Sequence, residues 1–321
     1  MIRLLVTIIG FLGFSGCVEE FDLDFEDKEP RLVVDALITN QPGPYYVRLT
    51  QSRNGHFYNE EFDYYDTAEP VKNATVVISD NHGITDTLVP SVLENVNYDF
   101  DLGFYELLND STGNICDTLL LPDIEIFNYK NGYYRTTHID GEPGNTYYLK
   151  IIADGKEYSA SCFMPPVPPV DSIKFEHKIS EKDGDDFYTP ILYFDDPQGI
   201  ENYYLLQNTN TLRVFVSFAS WDLSLLNDEF IDGYVNGLDV EFGVSPVATD
   251  YIWLHQGGEF YFSMSSLTKE CYDHFEALIG QFKYDGAVYK PAPASPPTNL
   301  SNGALGLFRA SSVEELTVTV E

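Results

Sequence analysis

The sequence predicts a mainly β chain: an N-terminal Ig-like or fibronectin-III-like β-sandwich, followed by a second β-rich domain with one covering helix. Three observations carry this. Short stretches with period-two alternation recur along the chain, each bounded by Gly, Pro, Asn or Asp turn signals. A single stretch has helical periodicity. Hydrophobic content of 44% with 15% aromatic residues is ample for packed cores and excludes a disordered chain.

The elements follow in order. Residues 31–39 (Arg-Leu-Val-Val-Asp-Ala-Leu-Ile-Thr) read as a strand that ends in the turn signal Asn40-Gln-Pro-Gly-Pro. Tyr45–Thr50 alternates apolar and polar residues, as a half-buried strand does. A loop rich in Tyr, Asn, Glu and Asp spans 54–69. Ala74–Asp80 is a strand running into Asn81-His-Gly; Thr85–Val89 pairs back, and Asn97–Leu107 supplies another edge. The turn Gly141-Glu-Pro-Gly-Asn leads into the strand Thr146–Ala153. Asp154-Gly155 is a two-residue hairpin turn into Lys156–Cys162. Short strands in this density, with turn chemistry between them, indicate a sandwich over 31–163.

Met164-Pro-Pro-Val-Pro-Pro-Val (164–170) cannot enter a sheet or helix interior and reads as a stiff linker. The second domain is expected over 171–321. It opens with Asp171–Phe175, and Ile191–Phe194 leads through Asp195-Asp-Pro-Gln-Gly199 to a strand resumed at Asn202–Gln207. Arg213–Phe218 and Glu259–Met264 are further strands. Thr268 caps the one helix, whose Cys271, Phe275, Leu278 and Phe282 share a face. After proline-rich coil at 291–297, Ala304–Phe308 and Leu316–Val320 are the last strands.

The first thirty residues have a different character. One positive residue, Arg3, precedes the apolar run Leu4–Phe14 and then Ser15-Gly16-Cys17. That run reads as a signal peptide over 1–16. It is too short for a membrane-spanning helix, which needs roughly 20 apolar residues. Gly16-Cys17 fits a bacterial lipoprotein signal, with Cys17 acylated on sulfur as the first mature residue. Residues 17–30 are too acidic to fold alone and read as a tether. Within it, Glu19 and Glu20 resemble the acidic export signal of surface lipoproteins in the Bacteroidetes. The expected location is therefore the outer membrane, lipid-anchored and facing outward.

With 51 acidic and 18 basic residues the formal charge is −33. Such a field repels nucleic acid and anionic lipid surfaces and excludes both as charge-driven partners. Of four cysteines, Cys17 is used by lipid; the pairing of Cys116, Cys162 and Cys271 is open. With no CxxC spacing, a zinc or thioredoxin-like site is not expected.

No catalytic constellation is legible. The sequence contains no GxSxG elbow, P-loop, HExxH or GxGxxG. The six histidines are scattered and read as surface or turn residues. Carboxylates are too abundant to single out a hydrolytic pair. Asp195-Asp196-Pro197-Gln198-Gly199, with Glu201 as a further oxygen donor, is a weak calcium candidate. The same residues satisfy a type I turn, which is the reading preferred. Asp183-Gly-Asp-Asp186 reads as a solvated loop for lack of EF-hand spacing. Phe57, Tyr58, Phe62, Tyr64 and Tyr65 cluster in an otherwise polar loop, where exposed rings would suit partner contact and a loop folded over a sheet edge would bury them. Tyr133-Tyr134 and Tyr203-Tyr204 are expected in the core on alternate faces.

Several segments together resemble a family of Bacteroidetes outer-membrane lipoproteins, DUF4249. They are Cys17 with its acidic follow-on, Leu32–Thr39 with Tyr46–Thr50, and Val71–Ile78. Pro143–Leu149, Met164–Ile173, Asp196–Tyr204 and Asn299–Phe308 complete the set. The resemblance covers nearly the whole mature chain in order, with Leu307 standing where an aromatic is usual. It implies a β-rich, two-domain lipoprotein, often associated with TonB-dependent outer-membrane receptors, and carries over no catalytic residue or cofactor. The functional expectation is a non-enzymatic accessory subunit of such a receptor. The alternative is a surface glycan- or peptide-binding module built on the Phe57–Tyr65 aromatics.

Overall fold

The computed structural model describes residues 29–52, 69–91, 96–99, 103–109, 115–121, 132–179, 184, 186–208, 223–229, 231–240, 254, 256–283 and 295–321. The described residues from Pro30 onward belong to one compact unit. They are mainly β, with one helix among them.

The strands are β1 (Leu32–Thr39), β2 (Tyr46–Gln51), β3 (Glu69–Pro70), β4 (Thr75–Asp80), β5 (Thr85–Thr87), β6 (Val89–Ser91), β7 (Val96–Asp99), β8 (Gly103–Asn109), β9 (Ile115–Leu121), β10 (Tyr133–Arg135), β11 (Thr146–Ala153) and β12 (Lys156–Phe163). After the proline segment come β13 (Val170–Ile179), β14 (Asp186–Asp195), β15 (Tyr203–Asn208), β16 (Leu223–Asn227), β17 (Tyr234–Asp239) and β18 (Glu259–Leu267). Helix α1 (Lys269–Lys283), β19 (Leu305–Ser311) and β20 (Val313–Thr319) complete the chain.

The first core lies between the sheet β19-β1-β2-β10-β6, with β3 added to β2, and the sheet β12-β11-β4-β5. Leu32, Val34, Ala36 and Ile38 of β1 point inward, as period-two alternation dictates. They meet Val76 and Ile78 of β4 and Tyr147, Leu149 and Ile151 of β11 in one cluster. Each such aliphatic side chain contributes about 1.5–3 kcal/mol on full burial. The β11–β12 hairpin turns at Asp154 (φ 49°) and Gly155 (φ 72°), the paired positive φ values of a type I′ turn.

Buried tyrosine hydroxyls tie the connections to this core. Tyr134 donates to Val71 O at 2.9 Å and accepts from Ala74 N at 3.0 Å. Tyr45 donates to Gln41 O and accepts from Gly141 N. Each ring supplies apolar area while its hydroxyl satisfies a loop amide or carbonyl that would otherwise be stranded.

One sheet edge was not foreseeable. β19, from the segment expected in the second domain, pairs in parallel with β1, with Gly306 opposite Val34. Gly306 adopts φ +90°, and a Cβ there would stand 2.0 Å from Val34 O. Only glycine permits that backbone approach. The far edge of β19 is closed by Asn299, which accepts from Phe308 N and donates to Phe308 O, and by Cys162 Sγ, which accepts from Ala310 N at 3.2 Å. Leu307 is buried in the first core.

The second core lies between the sheets β13-β14-β17 and β16-β15-β18-β20. Leu192 and Phe194 of β14 pack there with Tyr204, Leu206, Phe260, Phe262 and Met264. The sheet containing β15 is covered on both faces: Tyr203 and Leu205 join the first core, Tyr204 and Leu206 the second. A strand buried on both faces reads as a continuous apolar run, which is what Tyr-Tyr-Leu-Leu is. Helix α1 lies on the first-core side. Its Cys271 and Phe275 are buried, and Leu278 packs against the cluster. Thr268 caps it, accepting from Cys271 N at 3.3 Å.

The sequence pattern predicts β14 and β15 as one strand resumed across a turn. They instead enter different sheets. Between them Asp196–Asn202 moves the chain from one layer of the second core to the other, so its side chains meet those of the β16–β17 connection.

Candidate functional site

That crossing is the one place among the described residues where three metal-ligating side chains converge. Asp196, just past β14, is 1% exposed. Its amide donates to Gly233 O at 3.0 Å, and its Oδ1 accepts from the Tyr204 hydroxyl at 2.6 Å. Its Oδ2 is buried with no donor. Asp228 follows β16; its amide donates to Asn202 O at 3.2 Å, and its Oδ1 is likewise buried without a donor. Asp232 is exposed and accepts from Gly199 N at 2.8 Å. One carboxylate oxygen from each of the three lies within 4.8 Å of the others.

The backbone here is set by local chemistry. Gly199 (φ +70°) and Gly233 (φ +94°) occupy the left-handed region, and a Cβ on Gly233 would meet Gln198 Nε2 at 2.7 Å. Asn202 braces the turn by donating to Ile200 O at 2.8 Å and Pro197 O at 3.4 Å.

Electrostatically the arrangement is unbalanced. Two carboxylates at such a separation repel by about 3–4 kcal/mol at an effective dielectric of about 20. Burial pushes the Asp196 carboxyl above the usual carboxylate range; the Tyr204 hydrogen bond opposes this and the Asp228 charge adds to it. Burial and the adjoining Asp196 carboxylate likewise raise Tyr204. The cluster can share a proton or hold a hard cation.

Of the calcium candidate read from the sequence, the structure brings only Asp196 into this cluster. Asp195 ends β14, exposed, and Glu201 is turned aside to accept from the Tyr203 hydroxyl. Asp228 and Asp232 were missed. Their signal is the acidic turn Asp228-Glu-Phe-Ile-Asp-Gly233, which resembles any polar loop until the crossing puts it beside Asp196. Cys17, Glu19, Glu20, Phe57, Tyr58, Phe62, Tyr64 and Tyr65 lie outside the described residues.

Several other buried polar groups have structural partners. Asp86, fully buried, accepts from Thr137 N and Oγ1, His138 N and Ile139 N at 2.7–3.1 Å. Burial pushes its pKa up, but these four donors outweigh that and hold it below the usual value. Cys162 on β12 and Cys271 on α1 are free, buried thiols with sulfurs 3.8 Å apart. The Cys116 side chain lies outside the described set. Among the described histidines, His274 is buried, and desolvation with the nearby Arg309 charge keeps it below its usual pKa although its hydrogen bond to Pro297 O opposes this; His82, His138 and His177 each contact a nearby Asn, Thr or Asp.

Residues 18–317 match the family described as a domain of unknown function, DUF4249. The chain belongs to the DUF4249 family. No curated protein matches it. The DUF4249 match begins one residue after Cys17 and takes in the crossing, helix α1 and every strand of both sheet pairs except the last two residues of β20. The family description assigns no activity to any of them.

Proposed function

We propose that this DUF4249 protein is a non-catalytic, lipid-anchored lipoprotein of the outer membrane of a Bacteroidetes cell, surface-facing, and that it serves as an accessory subunit of a TonB-dependent receptor. The observation that carries this is Cys17: a short apolar run ends at Gly16-Cys17, and Glu19 and Glu20 follow at once in an acidic tether. The acyl chain supplies membrane attachment, since a chain of net charge −33 gains none from anionic headgroups. A folded β body behind an acidic tether sequence suits docking to a barrel. Buried Asp86 and Tyr134 serve the loops of the body through their hydrogen bonds.

The test is affinity purification of the lipid-anchored chain from membranes in mild detergent. Co-purification of a β-barrel receptor, lost on Cys17→Ala, is the expected result; recovery of the lipoprotein alone would count against the proposal. The second reading, glycan or peptide binding, rests on the aromatics between Phe57 and Tyr65. It requires that Tyr58, Tyr64 and Tyr65 to Ala abolish ligand binding while the melting temperature holds.

A further inference from the structure

We propose that Asp196, Asp228 and Asp232 form a calcium site that clamps the two sheets of the second core together at one end. Two independent facts point to a ligand. First, three carboxylates from two separate connections converge, with an oxygen of each inside a 4.8 Å span. Second, Asp196 is 1% exposed, yet its Oδ2 has no donor, and neither has the buried Oδ1 of Asp228. Buried carboxylate oxygens are normally hydrogen-bonded; a proton shared between Asp196 and Asp228 would satisfy that pair alone, whereas a cation also meets the third carboxylate, Asp232. By contrast Asp86, as deeply buried, is saturated by four donors.

The donor set selects the ion. It is all oxygen, with no histidine or cysteine in the cluster, which favours a hard cation over zinc or copper. Magnesium demands near-ideal octahedral geometry and keeps several waters, whereas calcium accepts irregular carboxylate sets completed by carbonyls and water. A site drawn from two connections, one of its residues exposed, suits calcium.

The position gives the ion its role. Asp196 lies on the β14–β15 connection, and Asp228 and Asp232 on the β16–β17 connection. β14 and β17 belong to one sheet and β15 and β16 to the other. An ion held by all three would tie the crossing strand to both layers and remove the repulsion between Asp196 and Asp228.

The experiment is thermal unfolding of the full chain at pH 7.5, first stripped with EDTA, then titrated with CaCl₂ and separately with MgCl₂. Calcium is expected to raise the melting temperature saturably by at least about 3 °C, with magnesium giving much less at equal concentration. Asp232→Asn keeps an acceptor for Gly199 N and should weaken calcium binding at least tenfold while the protein stays folded. Asp196→Asn gives a change of sign. Its amide keeps an acceptor for Tyr204 and offers Asp228 a donor, so this variant should melt above wild type in EDTA and below it in saturating calcium. Equal shifts from magnesium and calcium, an unchanged calcium response in Asp232→Asn, or no response at 10-fold excess over millimolar calcium would each overturn the site.

Discussion

Asp86 offers a quantitative test of how the first sandwich is held together. Replacing it with Ala removes the acceptor of four hydrogen bonds, three of them from the consecutive amides of Thr137, His138 and Ile139. Each buried donor left unmet costs about 1–3 kcal/mol, and water reaching exposed His138 relieves part of this, so a total loss of about 3–5 kcal/mol is expected. Asp86→Asn isolates the charge. Its amide oxygen can take the three amides while its NH₂ faces Thr137 Oγ1. What is lost is the difference between charge-assisted and neutral bonds, about 2–3 kcal/mol over the set. The pH dependence has a definite sign. Because the folded pKa is depressed, this stabilisation is fully present above the unfolded value of about 3.9 and is lost as pH falls through the folded value. The gap between wild type and Asp86→Asn should therefore stand at about 2–3 kcal/mol at pH 8 and close below about pH 4. Urea unfolding followed by far-UV circular dichroism gives the energies, and amide exchange at 137–139 gives the locality. An Ala variant costing less than about 1 kcal/mol, or an Asn variant as costly as Ala, would refute the reasoning.

Three further outcomes follow from the geometry. Gly306→Ala places a Cβ 2.0 Å from Val34 O and should cost at least about 3 kcal/mol, while Gly83→Ala, at similar φ but in open space, should cost about 1 kcal/mol; urea midpoints of the two variants compare them directly. Thr268→Ala should lose about 1 kcal/mol through the helix cap, with Thr268→Ser or Asp recovering most of it in the same assay. Cys162 and Cys271, 4% and 0% exposed, should resist alkylation in the native state and react in denaturant, as peptide mass mapping would show; prompt native labelling of either would contradict the packing of α1 on β12 and β19.

The elements most legible in the sequence are those specified by neighbours along the chain. The alternation in Leu32–Thr39 and Thr146–Ala153 names the inward side chains, because a strand's side chains alternate whatever it pairs with. Asp154-Gly155 names its turn, because both residues tolerate positive φ. The spacing of Cys271 and Phe275 after Thr268 names the buried side of the helix. The Ig-like sandwich followed by β structure with a covering helix is visible at this level.

The chain's own sequence carries this local grammar, together with an apolar run ahead of Cys17, an acidic segment after it and a net charge of −33. Tertiary structure alone decided which distant segments meet. Parallel pairing of β19 with β1 depends on a close backbone approach at Gly306, and one glycine in a strand looks like any other until its partner is known. The acidic cluster depends on β14 and β15 entering different sheets. A turn that reads as a simple reversal is instead a crossing, and the crossing sets Asp196 beside Asp228 and Asp232 rather than beside Glu201. Periodicity and turn chemistry act over a few residues. Charge balance in a buried site is settled only when the whole chain has packed.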